Sequence, residues 1–249
     1  MPADPLLTPP VDGPAAAPTV GTTRTLSEAD SKAFLAGFGV PFAAEVLVTS
    51  ASEAAAAAER LGTPVVAKLC GDHVAHKTER GLVRLGLDSA AAVSAAAQEL
   101  LDAARPEDAA TGVLVAPMLQ GSRELIAGVA TDPQFGATVL LGLGGVLAEA
   151  VADVTVRLVP ITRIDAEEMI EDLRCQALLG AFRGEAAVDR TSVIDVLMGL
   201  SDAAAAHPEL VSADLNPLIV HEGRAVAVDA LVELDGDALV ERADPGEAP

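Results

Sequence analysis

From Thr25 onward, glycine, proline and polar clusters cut the chain into short apolar runs, and the spacing within each run suggests its element. Leu26-Ser27-Glu28-Ala29-Asp30 reads as a helix start capped by Ser27, with the helix ending near Gly37 to Gly39. A strand is predicted over 42–48, a helix over 52–61 that stops at Gly62, and a short buried strand over 64–69. A polar loop follows over 70–81, then a strand over 82–87 and an alanine-rich helix over 89–104. Three successive strands are predicted at 112–118, 124–131 and 137–141, with Gly142-Leu-Gly-Gly145 as a flexible loop. A strand at 154–159, two or three helices between 165 and 206 and a closing hairpin complete the pattern. Consecutive strands in a mixed order predict an α+β fold with largely antiparallel sheets, not a doubly wound one.

Length and composition narrow this further. A chain of 249 residues, 51% hydrophobic, can bury one large core or two lobes. Residues 1–21 are rich in Pro, Ala and Gly without periodicity and read as a disordered leader. The division expected is one lobe over 22–118, a second over 119–240 and a tail over 241–249. The net charge is −21, from 16 basic and 37 acidic residues. Nucleic acids and anionic membranes attract cationic proteins, so both are disfavoured as partners. Cys70 and Cys175 form neither a metal spacing nor a disulfide framework. With no signal peptide and no membrane-length apolar run evident, a cytoplasmic location is expected.

The segment from Asp214 to Asp229 carries the densest chemistry. It reads as two strands joined at Glu222-Gly223, which puts His221 opposite Arg224 and Val220 opposite Ala225. A four-residue loop from His221 to Arg224 gives the same pairing. That register sets Asn216 opposite Asp229, with Asp214 on the same face two residues earlier. Two carboxylates and a carboxamide on one surface suit a hard cation such as Mg²⁺. The same residues also read as the polar outer face of an ordinary hairpin, and Pro217 is able to slip the register.

Other candidates are weaker one by one. Lys68 ends an apolar strand, as a phosphate-binding lysine does, or as a snorkelling edge lysine does. The loop Gly71 to Gly81 holds His73, His76, Lys77 and Arg80, a set able to handle phosphate or simply a polar surface loop. Glu124 opens a strand, where it serves a ribose or is merely solvated. The glycines at 142, 144 and 145 permit backbone amides to face a phosphate, without a Walker or Rossmann pattern around them.

In order along the chain stand Lys68, His76-Lys77-Thr78-Glu79-Arg80-Gly81, Val113 to Met118, Glu124 to Gly128, Asp132 to Gly136, Gly142 to Gly145 and Asp214-Leu-Asn-Pro217. This series resembles the ATP-grasp β subunit of ADP-forming acyl-CoA (acetyl-CoA) synthetases, relatives of succinyl-CoA synthetase β, over about residues 24–234. The resemblance implies an ATP-grasp fold, with ATP or ADP and Mg²⁺ held between two α+β lobes. It implies the reaction acyl-CoA + ADP + phosphate ⇌ acid + CoA + ATP, with the phosphoryl group carried on histidine. Lys68 then matches the lysine on the nucleotide phosphates. Ala116, Pro117, Met118 and Leu119 match the interlobe strand that meets adenine, and Glu124 matches the ribose carboxylate. Asn216 and Asp229 match the Mg²⁺ ligands, Asp214 the acidic residue near the phosphohistidine, and His76 the relay histidine. Gly144 and Gly145 complete the nucleotide-contacting set.

Glu79 stands where the family usually has Asp, and Leu82 where it has a second glycine, which implies a stiffer loop. No stretch reads as a CoA-binding domain, so a separate CoA-binding α subunit and a hetero-oligomer are expected. A stand-alone carboxylate–amine ligase and a non-catalytic nucleotide sensor are the competing readings.

Overall fold

A computed structural model describes residues 23–74, 77–145, 151–181 and 184–236. The strands fall into two sheets, and every pairing between named strands is antiparallel.

The smaller sheet has four strands in the order β2 (Val46–Val48), β5 (Ala110–Pro117), β3 (Val65–Gly71), β4 (Val83–Leu87). Helices α2 (Ala51–Leu61) and α3 (Ala90–Ala103) accompany it. The apolar side chains of Leu69, Val93, Leu100, Val113 and Val115 form its core. Both helices start at a serine: Ser50 accepts from the amide of Glu53, and Ser89 from that of Ala92. Glu53 closes the first of these caps by accepting from the amide of Thr49 at 2.8 Å. The strand expected over 42–48 contracts to its last three residues. Phe42 makes only an isolated bridge to Ala227, which leaves 43–45 as a crossing between the sheets.

The larger sheet has seven strands. Its path is β1 (Thr23–Thr25), β11 (Leu231–Asp235), β9 (Leu210–His221), β6 (Glu124–Asp132), β7 (Gly136–Leu143), β8 (Val154–Leu158), and β10 (Arg224–Ala227) pairs with β9. Helices α1 (Glu28–Ala36), α4 (Arg163–Glu171) and α5 (Arg190–Ala206) cover one face of it. Leu197 and Leu200 of α5 are fully buried against Leu141, Leu215 and Leu35. Gly199 lets α5 approach the turn after α1, since a Cβ there would lie 2.7 Å from the carbonyl oxygen of Phe38.

Two expectations change here. The stretch 22–118 does not pair as one lobe: β1 joins β11, and Leu35 of α1 belongs to the core under the larger sheet. Of the three successive strands, β5 lies in the smaller sheet and β6 and β7 in the larger, the chain crossing over between Pro117 and Glu124. Gly142 and Leu143 complete β7 and are not loop residues; Gly142 pairs with both Ile126 and Val154.

Candidate nucleotide-phosphate site

The hairpin forms with the expected register, His221 opposite Arg224 and Val220 opposite Ala225. Glu222 and Gly223 both have positive φ, 50° and 84°, the signature of a type I′ turn, whose twist matches that of the flanking strands. The ladder ends at Ala227 opposite Leu218, so Asn216 and Asp229 are not a ladder pair. After Val228 the chain passes into β11, whose Leu231 pairs with Asp214. The same three residues nonetheless share one cavity. Asp214, Asn216 and Asp229 all line one cavity of about 620 Å³ where the two sheets face each other. Its opposite wall comes from the smaller sheet and its loop, Leu69 to Val74 and Lys77 to Glu79.

Beside that cavity lies a cluster of opposite charges. Glu28, at the start of α1, is only 4% exposed. Its Oε1 accepts from the Lys32 and Lys68 ammonium groups, both at 2.8 Å, and its Oε2 accepts from Lys77. Lys68 also donates to the carbonyl of Val228 at 2.9 Å and lies 3.6 Å from Asp229. Lys77 lies 3.3 Å from the other Asp229 oxygen, and Lys32 donates to Glu45 at 2.6 Å. Burial pushes the Glu28 carboxyl up, but Lys68, Lys32 and Lys77 outweigh it and hold it far below its ordinary range. Burial lowers Lys77, yet Glu28 and Asp229 more than compensate and keep it firmly cationic. Asp214 has no such partner among the described residues: burial and the nearby Asp229 charge both push its carboxyl up.

A carboxylate whose ionisation is made costlier by burial and by a neighbouring charge is a setting a cation relieves. Asn216 adds a neutral amide group to the same wall. Among the described residues no three His, Cys, Asp or Glu side chains converge as a self-sufficient metal cage. The set suits Mg²⁺, which takes one or two protein carboxylates and completes its shell with water and substrate phosphate.

The remaining expected residues are distributed as follows. Glu124, Gly144 and Gly145 line a second cavity of about 370 Å³, with the Gly144 amide donating to the Glu124 carbonyl at 2.8 Å. Glu124 nevertheless shares a sheet face with Asp214. Asp214 pairs with Gly128, and Glu124 lies four positions from Gly128 on β6, about 13 Å at the strand rise. Ala116 and Pro117 pair with Val66 and Val65 at the end of β5. The Met118 amide donates to Pro64, and Leu119 continues the crossing toward β6. His76 lies outside the described residues. Sequence reasoning did not single out Glu28 or Lys32, and it gave Lys77 only as one cation of the loop Gly71 to Gly81. The spacing of Glu28 and Lys32 is legible as a helical i,i+4 pair, but nothing local announces that two more lysines join it.

A family model described as an ATP-grasp domain matches residues 19–234. The β subunit of acetate–CoA ligase (ADP-forming) II from Pyrococcus furiosus is 37% identical over 216 residues, 84% of this chain and 91% of that protein. The acetate–CoA ligase (ADP-forming) I of Archaeoglobus fulgidus is 36% identical over 197 residues, which are 78% of this chain but 29% of that longer protein. Among solved structures, the acetyl-coenzyme A synthetase 1 of Ca. Korarchaeum cryptofilum, complexed with coenzyme A and Ca-AMPCP, superposes with a TM-score of 0.79. It is 34% identical, and the match covers 85% of this chain and 93% of that one. Its complex with Mg-AMPPCP has a phosphohistidine segment pointing towards the nucleotide-binding site. The chain belongs to the ATP-grasp family, alongside the β subunits and β-type domains of ADP-forming acetate–CoA ligases.

Proposed function

We propose that this chain is the nucleotide-binding β subunit of an ADP-forming acyl-CoA synthetase and holds magnesium-bound ADP or ATP in the 620 Å³ cavity. One observation carries the reading: Lys77, Asp214, Asn216 and Asp229 line that cavity from both sides, and Lys68 reaches Asp229 at its wall at 3.6 Å. Lys68 and Lys77 would meet the phosphates as charge-assisted donors. Asn216 and Asp229 would hold Mg²⁺, which offsets charge on the phosphates and orients them for in-line transfer. The nucleoside would extend along the sheet face toward Glu124.

The reaction proposed is phosphoryl exchange between nucleotide and histidine. In the ATP-forming direction the P–N bond of a phosphohistidine breaks and a bond to the terminal phosphate oxygen of ADP forms. Asp214, whose carboxyl burial and the Asp229 charge push up, would accept a proton from, or orient, an incoming imidazole. His76, adjacent in sequence to the anchored Lys77, is the proposed relay, and a CoA-binding partner chain would supply the thioester chemistry.

Calorimetric titration of Mg·ADP and Mg·ATP into the protein, beside Lys68→Ala, tests the reading. Binding that needs both Mg²⁺ and Lys68 is expected. Nucleotide binding indifferent to Lys68 and to Mg²⁺ would overturn it.

A further inference from the structure

Glu28 belongs to none of the residues assigned above, yet Lys77, which lines the cavity, and Lys68, which reaches the cavity-lining Asp229, both end on it. Lys68 reaches it from β3 and Lys77 from the loop that follows β3, 40 and 49 residues away in sequence. Two flexible lysines are thereby fixed from the same side by one buried carboxylate. Each would otherwise have rotamer freedom to lose on meeting a ligand. Lys32 approaches Glu28 as well but is itself buried, and its other partner is Glu45 rather than the cavity-lining Asp229.

Charge counting shows what this arrangement can do. Three ammonium groups, of Lys32, Lys68 and Lys77, face the carboxylates of Glu28 and Glu45, leaving 3 − 2 = +1 before Asp229 is counted. Asp229 completes neutrality by leaning on Lys68 and Lys77 at 3.6 and 3.3 Å. These are its longer contacts, and its rim position leaves its side chain a third exposed. A divalent cation competing for Asp229 would release both lysines toward an anion without loosening their hold on Glu28.

We propose that Glu28 is a positioning residue of the nucleotide-phosphate site, fixing the ammonium groups of Lys68 and Lys77 as a preformed pair for the phosphates. This deepens, and rests on, the proposed nucleotide-binding reading. Asp229 acts as the exchangeable counter-charge, Glu28 as the permanent one. Because Glu28 lies on α1, which packs in the larger core, and Lys68 on the smaller sheet, the same contact sets the distance between the two cavity walls.

The test compares Glu28→Gln, Lys77→Met and the double variant with the wild type. Calorimetry reads Mg·ADP affinity, and saturation-transfer NMR reads binding of adenosine, which has no phosphate. Glu28→Gln is expected to weaken Mg·ADP about tenfold to a hundredfold and to leave adenosine unchanged. Adding it to Lys77→Met should cost clearly less than the product of the two single losses, since one acts through the other. Wild-type affinity in Glu28→Gln, equal losses for Mg·ADP and adenosine, or fully multiplicative losses would each overturn the positioning role. Should Glu28→Gln fail to fold, Glu28→Asp keeps the charge on a shorter stem that cannot span both lysines; an Mg·ADP-specific loss supports the role, and unaltered affinity overturns it. A wild-type protein that does not bind Mg·ADP would instead remove the parent reading.

Discussion

Glu28 has two oxygens and three cationic donors, and that imbalance makes its ionisation a stability matter. Its folded carboxyl titrates below the ordinary 4.5, because Lys68, Lys32 and Lys77 outweigh the burial that would raise it. On acidification the unfolded chain therefore takes up the proton first, so the folded state loses ground. The Glu28 contribution is complete above about pH 4.5 and drains away as the pH falls toward the folded value. Thermal midpoints measured from pH 6 downward should fall less steeply in Glu28→Gln than in the wild type. Parallel curves would mean the cluster is not linked to the acid limb. At the rim, Asp229→Ala should weaken Mg·ADP roughly tenfold or more, by loss of a charged oxygen ligand; undiminished affinity at millimolar Mg²⁺ would remove Asp229 from the metal shell. Lys68 was legible in the sequence because an ammonium on an apolar strand calls for a partner, although it lies in the middle of β3 and not at the strand end expected. The identity of that partner was not, since it comes from a helix 40 residues earlier.

At the scale of elements, the hairpin shows what local chemistry can and cannot specify. The β9–β10 register was readable because side chains alternate with period two and Glu222-Gly223 meets the φ requirements of the turn. The pairing of Asn216 with Asp229 overshot, because where β10 ends depends on the bend into β11, a tertiary matter. The turn is also anchored: its Gly223 carbonyl accepts from the amide of Asp189, the residue that caps α5. Gly223→Ala should destabilise the protein by about 1–2 kcal/mol for the positive φ alone. The new Cβ would also crowd the Ala187 carbonyl at 2.9 Å. A lowering of the thermal midpoint by several degrees is expected, and a midpoint within one degree of the wild type would show that the turn relaxes freely. In α5, Leu200→Ala should cost about 2–5 kcal/mol, read by denaturant unfolding, because the fully buried side chain leaves a cavity. A loss below 1 kcal/mol would mean the core collapses around it. The failed expectation over 22–118 has the same origin as the overshoot: periodicity finds β1 and α1, but not the sheet they join.

For the whole molecule, two hydrophobic cores are joined where the charged cluster sits, so ligand and inter-sheet contact act on the same interface. A ligand that binds only the folded state stabilises by mass action, about 2.7 kcal/mol at a hundred times its dissociation constant. Mg·ADP at that excess should raise the thermal midpoint of the wild type, and by much less in Lys68→Ala. An equal rise in both would place the nucleotide elsewhere.

The pairing of β1 with β11 has a further consequence. Thr23 lies beside Asp235, so the described fold begins and finishes on neighbouring strands, about 5 Å apart. A module closed in this way can be spliced into a longer polypeptide from one side, with short connections and little distortion. The Archaeoglobus fulgidus relative, in which the matching stretch is 29% of the protein, shows such a stretch within a longer chain. By the same geometry, joining 23 to 235 through a short flexible linker and opening the Glu222-Gly223 turn should yield a circular permutant that retains the ligand cavity.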